Sequence, residues 1–211
     1  MRIFCVGNSH VNTFSGEEIL TRQFKKDIFS GQDIGAAVAY NFYEHHLERS
    51  LEVFKELGAD NSSYWSLVVG EVDCRYHLPL QADNQKRTDE SVVSECVERL
   101  FKSYIFLKDK GISPIVFSIH PTTTEGHSME NLERPIYGSW ERRNNICLLW
   151  NKCCEDLSLA KDIPFISFYQ YLVDGNNKTK MEYFLDYCHL NSKKVMPFIL
   201  GGLNKSGLEN I

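Results

Sequence analysis

The feature that most constrains this chain is a repeated alternation. Short apolar runs stop at a glycine or a His-Pro step, and between them lie long stretches whose apolar residues recur every three or four positions. The runs are Arg2 to Val6 before Gly7, Leu67-Val68-Val69 before Gly70, Pro114 to Ile119 before His120-Pro121, and Ile163 to Phe168. The run at 114–119 is almost wholly apolar, as expected of a parallel strand covered on both faces. Helical stripes fill the intervals: Ala39, Phe42, Leu47, Leu51, Phe54 and Leu57 within 36–57; Val93, Val97, Leu100, Phe101, Tyr104 and Leu107 within 91–110; Ile146, Leu149, Trp150, Cys153 and Leu157 within 139–160. A short second strand is expected over Asp27 to Ser30, a third strand over Ser66–Val69, and a terminal helix over Ser192–Leu200, bent at Pro197. Strands joined by helical crossovers make right-handed units, so the expected class is α/β: a parallel sheet with helices on both faces, in one domain over 1–211.

Such a sheet places ligands at the carboxyl ends of its strands. The residues there carry chemistry. A strand broken at Gly7 lifts Asn8-Ser9-His10 onto that edge, and Ser9 is the candidate nucleophile. A serine alcohol needs a base to take its proton, and a histidine oriented by a carboxylate is a common solution. Asp186 and His189, on Asp186-Tyr187-Cys188-His189, supply both on one short loop.

Gly7-Asn8-Ser9 after the first strand and Asp186-x-x-His189 near the other end of the sequence resemble the first and last blocks of the SGNH (GDSL-like) hydrolases. The resemblance implies a three-layer flavodoxin-like fold, a five-stranded sheet in the order 2-1-3-4-5, and serine ester chemistry without metal or organic cofactor. It also implies an oxyanion-hole backbone N–H at Gly35, in Asp33-Ile34-Gly35, with Gly31 as the alternative. Two positions depart from the family pattern. The aspartate of the first block is Asn8, which keeps the size and an acceptor oxygen. The third block, normally Gly-x-Asn-Asp, reads Gly70-Glu71-Val72-Asp73, so a valine replaces the asparagine that donates to the oxyanion. Losing one such donor costs about 10²–10³-fold in rate. A replacement is expected from Arg75, ahead of His120.

Each residue also has a structural reading. Ser9 and His189 can cap or precede helices; Glu71 and Asp73 can tie down backbone or pair with Arg75; His45, His46, His77 and His127 lack a partner pattern and are expected to face solvent. Two stretches of loop composition, 79–89 and 121–138, follow the third and fourth strands and form the expected substrate rim. Tyr76, His77, Tyr137 and Trp140, within or beside them, suit a carbohydrate-borne acetyl ester better than a long lipid chain.

Composition narrows the alternatives. With 43% hydrophobic and 24% charged residues, the 211-residue chain can bury a substantial core. A formal charge of −5 without a Lys/Arg stripe argues against nucleic acid as a partner. The N-terminal apolar run is too short for a signal peptide and no run approaches a membrane span, so a soluble, cytoplasmic protein is expected. Seven cysteines without Cys-x-x-Cys spacing imply reduced thiols and no metal site. The expected function is therefore hydrolysis of a small-molecule or glycan ester. An acyltransferase using the same three residues, or a glycan-binding pseudoenzyme disabled at Val72, are the alternatives.

Overall fold

The computed structural model describes residues 2–14, 28–124 and 135–208. Among them, a parallel sheet is built from β1 (Ile3–Gly7), β2 (Phe29–Asp33), β3 (Tyr64–Val68) and β4 (Ser113–Pro114), in the order β2-β1-β3-β4. A second, two-stranded parallel ladder joins β5 (Val116–Phe117) to β6 (Phe165–Ile166). The helices are α1 (Phe42–His45), α2 (Leu47–Glu56), α3 (Leu78–Gln85), α4 (Asp89–Asp109), α5 (Trp140–Lys161) and α6 (Ser192–Lys205).

β1 is central and its alternation sorts the core. Phe4 and Val6 point to one face, where Phe54, Trp65, Val97, Phe101, Ile146 and Trp150 meet them from α2, α4, α5 and β3. Ile3 and Cys5 point to the other, against Ile115, Phe117, Ile166 and, from α6, Val195, Ile199 and Leu203. Both faces are therefore covered, which is why β1 is buried at every position. α4, α5 and α6 begin at Thr88, Ser139 and Asn191, whose side chains accept backbone N–H groups of Ser91, Arg142 and Lys194.

The expected continuous five-stranded sheet is corrected to two ladders. The fourth apolar run keeps its place between β3 and β6 but divides at Ile115. Its first half pairs with β3 and its second with β6. Ile115 N–H still reaches Trp65 O at 3.0 Å. The next acceptor along β3, Leu67 O, is instead taken by the buried Tyr104 hydroxyl at 3.0 Å, while Val116 and Ser118 donate to Pro164 O and Ile166 O on the β6 side.

Three boundaries also differ. The second strand lies at Phe29–Asp33, its register fixed by backbone pairing of Ile3 with Phe29 and Gly7 with Asp33; Asp27, where it was expected to begin, lies outside the described residues. The 36–57 stretch forms two helices, α1 and α2, after an irregular lead-in. Most of the expected 79–89 loop is helix: α3 follows a π-helical turn at Asp73–His77, and Pro79 sits in its first turn, where a missing N–H costs little. Of the other expected loop, residues 125–134, including His127, lie outside the described residues.

Two glycines are dictated by what surrounds the strand ends. A Cβ on Gly7 would lie 2.0 Å from Val68 O of the neighbouring strand, so the chain can turn into Asn8-Ser9 there only without a side chain. Gly70, at φ +115°, lies in the left-handed region and faces the Trp150 ring, 2.6 Å from where a Cβ would stand.

Candidate functional site

Ser9 opens a 3₁₀ turn, Ser9–Phe14, directly after β1. Asn8 braces it. Its Oδ1 accepts His10 N–H and its Nδ2 donates to Ala37 O, both at 3.2 Å, clamping the turn to the segment after β2. From near the other end of the sequence, the loop before α6 closes on the same spot. An antiparallel bridge, Phe184 with Leu190, holds its base, and Ser192 Oγ donates to Asn12 O at 3.2 Å, tying the start of α6 to the Ser9 turn.

Within that loop Asp186 acts as the organising carboxylate. Oδ1 accepts the backbone N–H groups of Cys188 and His189, each at 2.7 Å, and Oδ2 lies 2.8 Å from His189 Nδ1. His189 Nε2 is then 2.9 Å from Ser9 Oγ. Partial burial works to raise the Asp186 carboxyl, but the His189 ring and the two backbone donors outweigh it and hold the group well below the usual carboxylate range. The structure thus brings Ser9, Asp186 and His189 into one relay in which a proton on Oγ has an acceptor and the acceptor ring is oriented from behind. Donor atoms of Asp186, Cys188 and His189 also converge within 4.8 Å. The bond between Asp186 Oδ2 and His189 Nδ1 already engages two of them, and the arrangement is that of a proton relay. All seven cysteines are free.

A cavity of about 340 Å³ opens beside this relay, lined by Ser9, His189, Gly35, Val72, Arg75 and His77 among others. The expected oxyanion donors are occupied elsewhere. Gly35 N–H donates to Asp33 Oδ1 at 2.7 Å, inside its own turn. Arg75 Nε pairs with Glu71, at 2.9 Å to Oε1, and Nη1 donates to Pro135 O at 2.7 Å. Val72 lines the cavity and brings no donor of its own. His120 is buried, with Nδ1 2.9 Å from Pro121 O and Nε2 3.1 Å from His10 Nδ1, so both of its ring nitrogens are engaged away from Ser9.

Behind the relay lies a second cluster that the spacing of motifs does not announce. His10 Nε2 is 2.8 Å from Glu71 Oε2, and the His10 ring stands between His120 and His189, with centroid distances of 4.9 and 5.1 Å. Burial opposes ionisation of Glu71, yet His10 and Arg75 prevail and its carboxyl falls far below the ordinary value. Burial, reinforced by His10, pushes His120 down to about 4. The available signals were a histidine directly after Ser9 and a glutamate directly after Gly70, two strand-end positions that meet across β1 and β3. Asp73 has a structural place: it is buried and accepts Ala39 N–H at 2.9 Å, and burial raises its carboxyl. His77, expected in solvent, lines the cavity instead.

No family model matches the sequence, and no curated protein does. Solved structures do. A GDSL-like lipase from Bacteroides thetaiotaomicron is 20% identical and superposes with a TM-score of 0.61 over 98% of this chain and 88% of its own. An acetyl xylan esterase is 15% identical at a TM-score of 0.56, with both chains fully covered. The chain has the SGNH (GDSL-like) hydrolase fold. An acetylxylan esterase from Geobacillus stearothermophilus shares that fold at 12% identity and a TM-score of 0.57, covering 99% of this chain and 94% of its own. Among the described residues no helix is long and apolar enough to cross a membrane.

Proposed function

We propose that this chain is a serine ester hydrolase of the SGNH type that removes acetyl or other short acyl groups from a carbohydrate-like substrate. The observation that carries the reading is the relay of Asp186 Oδ2, His189 Nδ1, His189 Nε2 and Ser9 Oγ, with contacts of 2.8 and 2.9 Å at the mouth of a cavity. His189 takes the Ser9 proton as Oγ attacks the ester carbonyl; as the tetrahedral adduct collapses, the bond to the alcohol breaks and His189 returns the proton to the leaving oxygen. Water, deprotonated by the same ring, then releases the acid and restores Ser9. Asp186 keeps the ring in the required tautomer. Backbone N–H of Ser9 is the proposed oxyanion donor, joined by Gly35 once its N–H leaves Asp33, with Arg75 holding the polar side of the cavity. The scheme uses no metal or organic cofactor. Polar groups around the cavity and the acetyl xylan esterases that share the fold support the glycan ester as substrate class.

The test is direct. A fluorophosphonate should modify Ser9 in the folded protein, and Ser9→Ala should abolish both labelling and release of acetate from an acetylated xylooligosaccharide. Labelling that survives Ser9→Ala moves the nucleophile elsewhere. A glycan acceptor that captures the acyl group in place of water turns the reading to acyltransfer. Binding of the glycan with no acyl release points to a pseudoenzyme, the reading that Val72 at the cavity wall favours.

A further inference from the structure

The buried histidine pair behind Ser9 can be counted proton by proton. His10 Nε2 faces a carboxylate oxygen at 2.8 Å and must carry a hydrogen. His120 Nδ1 faces a carbonyl oxygen at 2.9 Å and must carry one too. Between them, His10 Nδ1 and His120 Nε2 meet at 3.1 Å, a contact that needs one hydrogen between two nitrogens. Three hydrogens are required, whereas two neutral imidazoles carry two. One ring is therefore an imidazolium. The carboxylate decides which: Glu71 touches His10, while His120 has only a neutral carbonyl and the other ring as partners.

We propose that His10 is a fixed imidazolium, locked between Glu71 and His120, and that it supplies the positive field behind Ser9 that the absent third-block amide would otherwise provide. This rests on the esterase reading for its role, though not for the charge itself. The ionisable groups around the ring are Glu71 from the helical stretch after β3, His120 beyond β5 and His189 in the loop before α6; beyond them, Arg75 and Arg143 act on Glu71, and Asp186 on His189. Glu71 cancels one of the positive charges of His10 and Arg75, so a net positive charge remains beside the serine. Neither nitrogen of His10 is left to touch substrate. It is a positioning residue acting through its field, which favours negative charge on the carbonyl oxygen and opposes a second positive charge on the neighbouring His189. The cost to the His189 imidazolium formed during reaction is offset by Asp186, 2.8 Å from its other nitrogen. The low position of His120, held down by burial and by His10, agrees with that ring being the neutral one.

Two measurements test this. Nitrogen-15 NMR of the histidine rings in the unmodified protein at pH 8 should find both nitrogens of His10 protonated and His120 neutral, with its hydrogen on Nδ1. Two neutral rings at that pH overturn the proposal. For the role, His10→Gln keeps a hydrogen-bonding side chain and removes the charge. Relative to the parent it should lower kcat about 10²- to 10³-fold with little change in KM, the range for one lost oxyanion donor, and move the acidic limb of the rate profile upward by about one pH unit or more, as expected for a unit charge removed from about 5 Å away. A folded variant with unchanged kcat and an unmoved limb overturns the role. An NMR-positive protein that cleaves no ester overturns the role and the esterase reading together, whereas an NMR-negative protein that cleaves ester overturns only the charge.

Discussion

Two histidine–carboxylate pairs stand side by side in this molecule with the same separation and opposite surroundings. His189 and Asp186 are 2.8 Å apart, with side chains 20% and 36% exposed; His10 and Glu71 are also 2.8 Å apart, at 6% and 3%. Distance alone does not distinguish them. In the outer pair, His189 offers Nε2 to Ser9, so a proton can arrive and leave. In the inner pair every ring nitrogen is engaged and both side chains are almost wholly buried, so the charge stays where it is. An exposed pair of this kind contributes little to stability, but a buried one becomes costly when a single partner is removed.

The comparison can be broken by exchanging which pair is damaged. The largest effect should come from the outer pair and should be kinetic: Asp186→Asn leaves an acceptor for the two backbone N–H groups but misorients His189, and ester turnover should drop by about 10³–10⁴-fold. Steady-state kinetics with an acetyl ester checks this, and turnover near that of the parent would show that Asp186 does not orient the base. Next in size is Glu71→Ala. It leaves His10 and Arg75 as buried cations without their anion and should destabilise the fold by about 3–5 kcal/mol in urea denaturation; a loss below about 1 kcal/mol would show that water reaches the inner pair.

Acid sharpens the contrast further. Because His120 stays neutral in the folded state down to about 4, against an ordinary 6.5, the unfolded chain binds a proton between those values that the folded chain does not. Stability therefore falls as pH drops through that window, by about 3 kcal/mol from this ring, and the depressed Glu71 and Asp186 carboxyls add further losses below their ordinary values of 4.5 and 3.8. Urea midpoints at pH 7 and pH 4.5 measure it, and equal midpoints would refute the burial of His120. The smallest effect is the stability of Asp186→Asn, expected within about 1 kcal/mol of the parent by the same method; a larger loss would mean that the outer loop is a structural keystone as well as a relay.

How much of this was legible beforehand follows the same division. β1, α4, α5 and α6 were readable because their apolar residues repeat at a fixed period and face a core on known sides. Ser9, Asp186 and His189 stand out in the sequence as candidates because each sits in a short motif beside a strand or helix boundary. The sequence does not locate β2 correctly because Phe29–Asp33 is a half-exposed edge strand whose position comes from backbone pairing with β1, which leaves no apolar pattern. The sequence of α3 reads as loop because the helix is short, carries Pro79 in its first turn and has polar residues at half of its eight positions, its start being set by the π-helical turn before it. The division of the fourth run depends on a tyrosine hydroxyl from α4 reaching a β3 carbonyl, a contact that no window of sequence contains. His10 and Glu71 lie 61 positions apart and meet only because β1 and β3 are neighbours.

The tie from Ser192 to Asn12 has a consequence for the timing of biosynthesis. In the proposed reading the nucleophile, Ser9, leaves the ribosome's active centre 180 residues before the base, His189. At about 5–20 residues per second, roughly 10–40 s separate the two. During that interval the proposed nucleophile has no His189 to take its proton. On that reading, reactivity toward an activated-ester probe should appear only once the later segment has docked against the earlier one, and acylation of Ser9 in a stalled or pulse-labelled nascent chain would then report completed folding.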